Sequence, residues 1–163
     1  MGVIYHSPNP VQQLLHLREI TRELLYLGCH TIPELPGVEN ACVYYPYVSD
    51  ASRAEYAKAH DAPEALWGIG TPFDDTPMLG HANFWWGITP SALRAMLRTA
   101  RFEVVAERHG HEGSFFTELV ARPLDRDPIL PPISYYREHG EHRERGEEPP
   151  PFETYYEARR RNA

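Results

Sequence analysis

One amphipathic segment between two short apolar segments limits the folds open to this chain more than any other feature. Asn9 followed by Pro10 is a typical helix start, because Asn9 can cap a helix and Pro10 fits the first helical turn. Apolar residues at helical spacing continue to about residue 21. Residues 2–5 are strand-like, and residues 24–29 form the uninterrupted apolar run of a strand buried in a parallel sheet. The order predicts a βαβ unit with parallel strands, and so an α/β fold.

A second helix and two more strands are predicted further along. Thr89 followed by Pro90 begins the helix, which has one apolar face. Residues 102–106 and 115–121 alternate in the manner of strands, and the short polar turn between them predicts an antiparallel pair. Together with the βαβ unit, these elements form one predicted domain, residues 1–124.

Two stretches of the chain carry little regular pattern. Residues 33–87 form a long insert rich in proline and tyrosine, with one short predicted helix at residues 51–60. Residues 125–163 are rich in proline and charge and have no apolar periodicity, which predicts a disordered C-terminal tail. The tyrosine pairs that begin at Tyr135 and Tyr155 leave open that this tail docks on the domain or on a partner.

Charge and cysteine content exclude several classes of protein. The 16 Lys and Arg residues against 23 Asp and Glu give a net charge of −7, which argues against binding to nucleic acid or anionic membranes by charge alone. The N-terminus lacks the basic region of a signal peptide, and the chain lacks the run of about 20 apolar residues that spans a bilayer. Cys29 and Cys42 are too few for a disulfide scaffold. We therefore expect a cytoplasmic protein.

Three motifs occur in a fixed order. They are Gly2-Val3-Ile4-Tyr5-His6 with Pro10, Leu24-Leu25-Tyr26-Leu27 with His30, and Thr89-Pro90-Ser91-Ala92-Leu93 with Met96, Leu97, Ala100 and Phe102. In this order they resemble the C-terminal half of a class I S-adenosylmethionine-dependent methyltransferase, closest to the tRNA wobble-uridine carboxymethyltransferase group and its uncharacterised relatives. The resemblance implies a partial Rossmann-like fold with strands four, five, six and seven and their helices. The last strand would be antiparallel and inserted between five and six.

The cofactor-binding half of that fold has no counterpart in the sequence. The family binds its cofactor at a glycine-rich turn after the first strand and at an acidic residue ending the second, and neither feature is present. The resemblance therefore implies the acceptor-side half of a methyltransferase. It would transfer a methyl or carboxymethyl group from S-adenosylmethionine, or a carboxylated form of it, once the other half is supplied. We expect no cofactor to bind this chain alone, and we expect Met1 to be an internal residue of a longer protein.

A different class of function stays open. The chain can also be a non-catalytic remnant or a protein-interaction module that keeps the half-fold. The edge of the incomplete sheet is then a candidate for pairing with another chain.

The ends of the first two predicted strands carry the candidate site residues. The resemblance implies that Met1 and Tyr5 contact the cofactor near its transferable group. His6 and His30 are predicted at the same rim, where ligands bind in open α/β sheets, and either imidazole could take a proton from the acceptor. The alternative for Tyr5 is packing under the next loop, and for the histidines it is hydrogen bonding to loop backbone.

Aromatic residues of the insert are the candidate substrate-binding group. Phe84, Trp85 and Trp86 could cover a planar small molecule or a nucleobase, and the alternative is that they form a small core for the insert. The basic residues that follow the tyrosine and histidine in the wobble-uridine group are absent here, which weakens tRNA as the acceptor.

A pair of histidines is a candidate metal site, and one arginine lies where the second predicted helix ends. His109 and His111 have the spacing of metal ligands, but no third ligand is evident, so we assign no metal. Arg101 stands where a glycine usually ends the second helix in a left-handed conformation.

Overall fold

The chain is a mixed α/β protein in the part that its structure, a computed structural model, describes. That part comprises residues 4–59, 73–78, 80, 83–110, 116–125, 130–152, 154, 155 and 157. The helices are α1 (Pro10–Ile20), α2 (Asp50–Ala59), α3 (Pro90–Thr99) and α4 (Ile133–Glu144), and the strands are β1 (Leu25–His30), β2 (Cys42–Tyr44), β3 (Trp86–Ile88), β4 (Phe102–His109) and β5 (Phe116–Pro123). None of the described helices is long and apolar enough to cross a membrane.

Both predicted helix starts are confirmed. The Asn9 side chain accepts a hydrogen bond from the Gln12 backbone N–H at 3.1 Å, and Pro10 is the first residue of α1. Thr89 caps α3 in the same way. Such caps satisfy backbone donors that have no partner in the first turn of a helix. The apolar faces of α1 and α3 are buried in one core with the central residues of the sheet.

A three-stranded antiparallel sheet carries this core. The strand order is β1-β5-β4, with Leu27 opposite Leu119 and Val104 opposite Ala121. The predicted antiparallel pairing of the last two strands is confirmed. Since β1 and β4 both run antiparallel to β5, they run parallel to one another with β5 between them.

The strand predicted at residues 2–5 is wrong where the structure describes it. Ile4–His6 form a 3₁₀ helix, while Gly2 and Val3 lie outside the described residues. The Ser7 N–H donates to the Ile4 carbonyl at 3.0 Å, and the Trp85 N–H donates to the Tyr5 carbonyl at 2.9 Å. A tight turn and a contact with the distant insert therefore use backbone groups that a strand would have paired. The described strands accordingly contain no parallel βαβ unit.

The insert is more regular than its sequence predicts. Its short helix is confirmed as α2, but the antiparallel pair β2–β3 was not predicted. The Ile32 N–H donates to the Ile88 carbonyl at 3.0 Å, which joins the end of β1 to this second sheet. Three-residue strands leave too short a pattern for recognition in the sequence.

The prediction of a disordered tail is wrong for α4, which docks on α1. The Ser134 hydroxyl lies 3.0 Å and 3.1 Å from the two carboxylate oxygens of Glu19, and Ser134 and Tyr155 are both buried. The Ser134 and Tyr155 hydroxyls lie 3.0 Å apart. The segment docks through polar groups that have no apolar period, and the sequence pattern therefore missed it.

Candidate functional site

Four of the predicted site residues form one compact group, here called the Tyr5 cluster: Tyr5, His6, His30 and Phe84. The Tyr5 ring centroid lies 4.5 Å from that of His6 and 5.8 Å from that of His30. The Phe84 ring lies 4.8 Å from His6 and 5.5 Å from His30. Each aromatic ring therefore touches both imidazoles. His6 and His30 therefore contact the same two rings, although His6 lies on a 3₁₀ turn and not at the end of a strand.

Three separate segments bring the Tyr5 cluster together. Tyr5 and His6 lie on the 3₁₀ turn before α1, and His30 is the last residue of β1. Phe84 precedes β3, and the backbone bond from Trp85 to Tyr5 fixes it against the turn. Half-buried imidazoles and rings at a strand end can hold a planar ligand by stacking and can exchange a proton with it.

Asn83 organises the cluster, and the sequence analysis missed it. Its carbonyl oxygen lies 2.7 Å from His6 Nδ1. Its buried side chain accepts a hydrogen bond from the Asp74 N–H at 2.9 Å and donates to the Asp74 carbonyl at 2.8 Å. Nothing in the local sequence marks Asn83, because its partners are distant in the chain or belong to the backbone.

The bond to Asn83 determines which nitrogen of His6 carries a proton. A carbonyl oxygen can only accept, so Nδ1 must donate, and in the neutral ring Nε2 is then a proton acceptor. Burial raises the pKa of the Tyr5 hydroxyl, with a smaller contribution from Cys29. The cluster thus combines a neutral phenol with an imidazole nitrogen that can accept a proton.

The predicted substrate-binding group is divided between two places. Phe84 belongs to the Tyr5 cluster, whereas Trp85 and Trp86 belong to a second aromatic group, here called the aromatic strip: Tyr44, Tyr47, Phe73, Trp85 and Trp86. Among the described residues, no ring contact joins Trp85 or Trp86 to the Tyr5 cluster. The indole N–H groups of Trp85 and Trp86 donate to the Gly80 and Pro8 carbonyls, and these bonds hold both rings apart from Phe84.

The remaining candidate residues are Met1 and the two histidines that have the spacing of metal ligands. Met1 and His111 lie outside the described residues. His109 lies 3.0 Å from Glu107 and 3.3 Å from the Thr117 hydroxyl, so its ring is held by a carboxylate and a hydroxyl. The described residues contain no group of three or more His, Cys, Asp or Glu that could hold a metal ion.

Comparisons with known proteins found no match. No family model matches the chain, and neither the curated proteins nor the solved structures contain a match. The sheet order and the two aromatic groups are therefore the features of this chain that bear on its function.

Proposed function

We propose that this chain is the acceptor-side half of an S-adenosylmethionine-dependent methyltransferase domain, with a partial Rossmann-like fold. The strand order carries the proposal. The resemblance implies that the last strand is antiparallel and lies between strands five and six, and β5 lies in this way between β1 and β4. On this assignment β1 and β4 are strands five and six. Their carboxyl ends carry His30 and His109, at the rim where such folds bind ligands.

The Tyr5 cluster is the acceptor side of the proposed site. The stacked rings of Tyr5 and Phe84 can hold a planar acceptor, and His6 Nε2 can take the proton that the acceptor loses. The bound cofactor would supply an electrophilic methyl or carboxymethyl group. The described residues do not complete its site, since they include no glycine-rich turn after a strand and no acidic residue directly ending β1 or β2. Catalysis in this proposal therefore requires a second half.

One observation favours a second candidate function, a non-catalytic interaction module. Tyr44 and Tyr47 expose 48% and 77% of their surface, although both belong to a contiguous aromatic group. Exposed contiguous apolar surface is a feature of binding sites. An interaction module would need this surface and would not need the imidazoles.

The methyltransferase proposal is tested by the reading frame upstream of Met1 and by cofactor labelling. The longer product, expressed with any in-frame upstream segment, should crosslink to tritiated S-adenosylmethionine under ultraviolet light. The 163-residue chain alone should not bind it with a Kd tighter than about 100 μM, or about 5.5 kcal/mol, because half a site cannot offset the ordering cost. A stop codon directly upstream, or a longer product that takes no label, would leave only the second candidate.

A further inference from the structure

The aromatic strip forms a continuous row of rings at the surface. Ring centroids lie 5.2 Å apart from Tyr47 to Phe73 and again from Phe73 to Trp85. They lie 6.4 Å apart from Trp85 to Tyr44 and 4.8 Å apart from Tyr44 to Trp86. The Tyr5 cluster does not account for these rings, and the two tyrosines remain widely exposed.

One end of the strip lies on a tight surface turn. Tyr47 has φ of 61°, in the left-handed region that costs a bulky residue about 1 kcal/mol or more. This unfavourable backbone conformation coincides with the most exposed ring of the strip, which is 77% accessible. The Val48 N–H donates to the Tyr45 carbonyl at 3.1 Å, so Tyr47 is the third residue of a four-residue turn, the position at which some turns require a positive φ.

The other end of the strip contacts the carbonyl of a proline in the same chain. The Trp86 indole N–H donates to the Pro8 carbonyl at 3.2 Å, within the segment Pro8-Asn9-Pro10. Proline-rich segments have free carbonyls and a preformed extended conformation, and aromatic surfaces recognise them through such contacts. Tyr44 and Trp85 continue the same kind of surface beyond Trp86.

Charge beside the strip is negative. Asp74 and Asp75 directly follow Phe73 and are exposed. Hydrogen bonds from Thr76 lower the pKa of the Asp74 carboxyl, which is ionised at neutral pH. These charges repel a phosphate backbone, which argues against single-stranded nucleic acid as the ligand of the rings, and they favour a basic ligand.

We propose that the aromatic strip is a docking surface for a proline-rich segment of another protein that carries an arginine or lysine near its prolines. The rings pack against the prolines, and the carboxylates of Asp74 and Asp75 attract the basic side chain. The chain's own run Pro149-Pro150-Pro151 is a poorer occupant, since Glu147 and Glu148 precede it. This docking is independent of methyl transfer, and it stands whether or not the chain is part of an enzyme.

Titration of the ¹⁵N-labelled 163-residue chain with synthetic peptides tests the proposal. The probe is the decapeptide Arg-Pro-Pro-Ala-Pro-Pro-Ala-Pro-Pro-Ala, and the readout is the shift of the Trp85 and Trp86 indole N–H signals. We expect saturable shifts with a Kd on the order of 100 μM, as for a small and transient interface. A peptide with every proline replaced by alanine should bind at least about tenfold more weakly. Replacement of the arginine by glutamate should also weaken binding.

Variants of the chain locate the surface. Tyr47→Ala and Tyr44→Ala should each weaken binding at least about fivefold, as loss of a central aromatic contact does. Tyr47→Ala keeps the test valid if Tyr44→Ala disturbs the β2–β3 pair. Tyr136→Ala is the matched control, because Tyr136 is 57% exposed on α4, outside the strip, and should leave the Kd unchanged.

Four results would overturn the proposal. The first is the absence of saturable shifts at up to 1 mM peptide, a concentration on the order of the weakest specific binding. The second and third are equal binding of the alanine peptide and equal binding of a peptide with the chain's own residues 146–152. The fourth is tighter binding of a ten-residue oligothymidylate. The last result would identify the strip as a nucleic-acid surface.

Discussion

The Tyr5 ring stacks on the Phe84 ring, with centroids 4.8 Å apart and planes 16° from parallel. This contact joins the turn before α1 to the segment before β3, and both rings also touch His6 and His30. Offset stacking of two aromatic rings contributes about 0.5–1.5 kcal/mol beyond the area it buries. The contact therefore stabilises the fold and also shapes the face offered to an acceptor.

The role of the Tyr5 hydroxyl can be tested separately from the stacking of the Tyr5 ring. Tyr5→Phe keeps the ring, so the free energy of unfolding should change little. Turnover of the complete methyltransferase should fall about two- to tenfold, the effect of one neutral hydrogen bond to the acceptor or the transferred group. Tyr26→Phe is the control, because Tyr26 is exposed on β1 and its hydroxyl bonds Glu118. Equal kcat/KM in the wild type and Tyr5→Phe would assign Tyr5 to packing alone.

His6→Ala should instead lower stability. The substitution leaves the Asn83 carbonyl without its imidazole donor and removes a ring that contacts both Tyr5 and Phe84. We expect a loss of about 1–3 kcal/mol in the free energy of unfolding, measured with urea. His16→Ala should cost under about 0.5 kcal/mol, since the half-exposed His16 ring contacts only the Glu19 carboxylate, at 3.4 Å. A His6→Ala variant as stable as His16→Ala would refute the anchoring role.

Gly87 is required by the close approach of Tyr45. A β-carbon at position 87 would overlap the Tyr45 hydroxyl and lie 3.0 Å from Ile32 Cγ2. Gly87→Ala should therefore cost about 2–3 kcal/mol of stability through overpacking. Tyr45→Phe alone should raise the free energy of unfolding by about 1 kcal/mol, because the buried hydroxyl has no hydrogen-bond partner in the described part of the chain. Urea denaturation of both single variants and the double variant tests this, and additive effects would contradict a direct clash.

Arg101 ends α3 at the backbone conformation that glycine prefers. Its φ is 61°, as the sequence position predicts. Arg101→Gly should raise the free energy of unfolding by about 0.5–1 kcal/mol, because glycine adopts this region without steric cost. The same substitution inside α3, Arg98→Gly, should lower it by about 0.5–1 kcal/mol. Thermal melts that moved both variants in one direction would contradict the backbone explanation.

Burial of Cys29 makes the free energy of unfolding depend on pH in the alkaline range. Burial, with a smaller contribution from Cys42, raises the pKa of the Cys29 thiol from 9.0 to about 12. Above pH 9 the unfolded chain releases this proton while the folded chain retains it. The stabilising contribution is therefore complete below pH 9 and is lost as pH rises toward 12, by about 1.4 kcal/mol per pH unit.

Urea unfolding at pH 8, 9 and 10 under reducing conditions measures the slope of the free energy of unfolding against pH. Cys29→Ala should lose it, and Cys42→Ala should keep most of it, since Cys42 is less buried. An unchanged slope in Cys29→Ala would assign the alkaline sensitivity to other groups.

Features set by local chemistry could be predicted from the sequence. The caps at Asn9 and Thr89, the helix at α2 and the left-handed position of Arg101 depend on residues within a few positions of one another. The antiparallel pairing of β4 with β5 belongs here as well, because only six residues separate the two strands in the sequence. The meeting of His6 and His30 does not belong here, because the segment predicted as a strand ending at His6 is a 3₁₀ helix.

Tertiary contacts decided the rest. The backbone of Tyr5 bonds to Trp85 instead of a neighbouring strand, and Ser134 docks on Glu19. Trp86 reaches back to Pro8, which directs it away from Phe84. Each of these contacts joins residues about 80 or more positions apart in the chain. The sequence by itself determined where helices begin and which strands pair across a short turn. The folded chain alone decided which rings meet, because their partners are brought close only when the core forms.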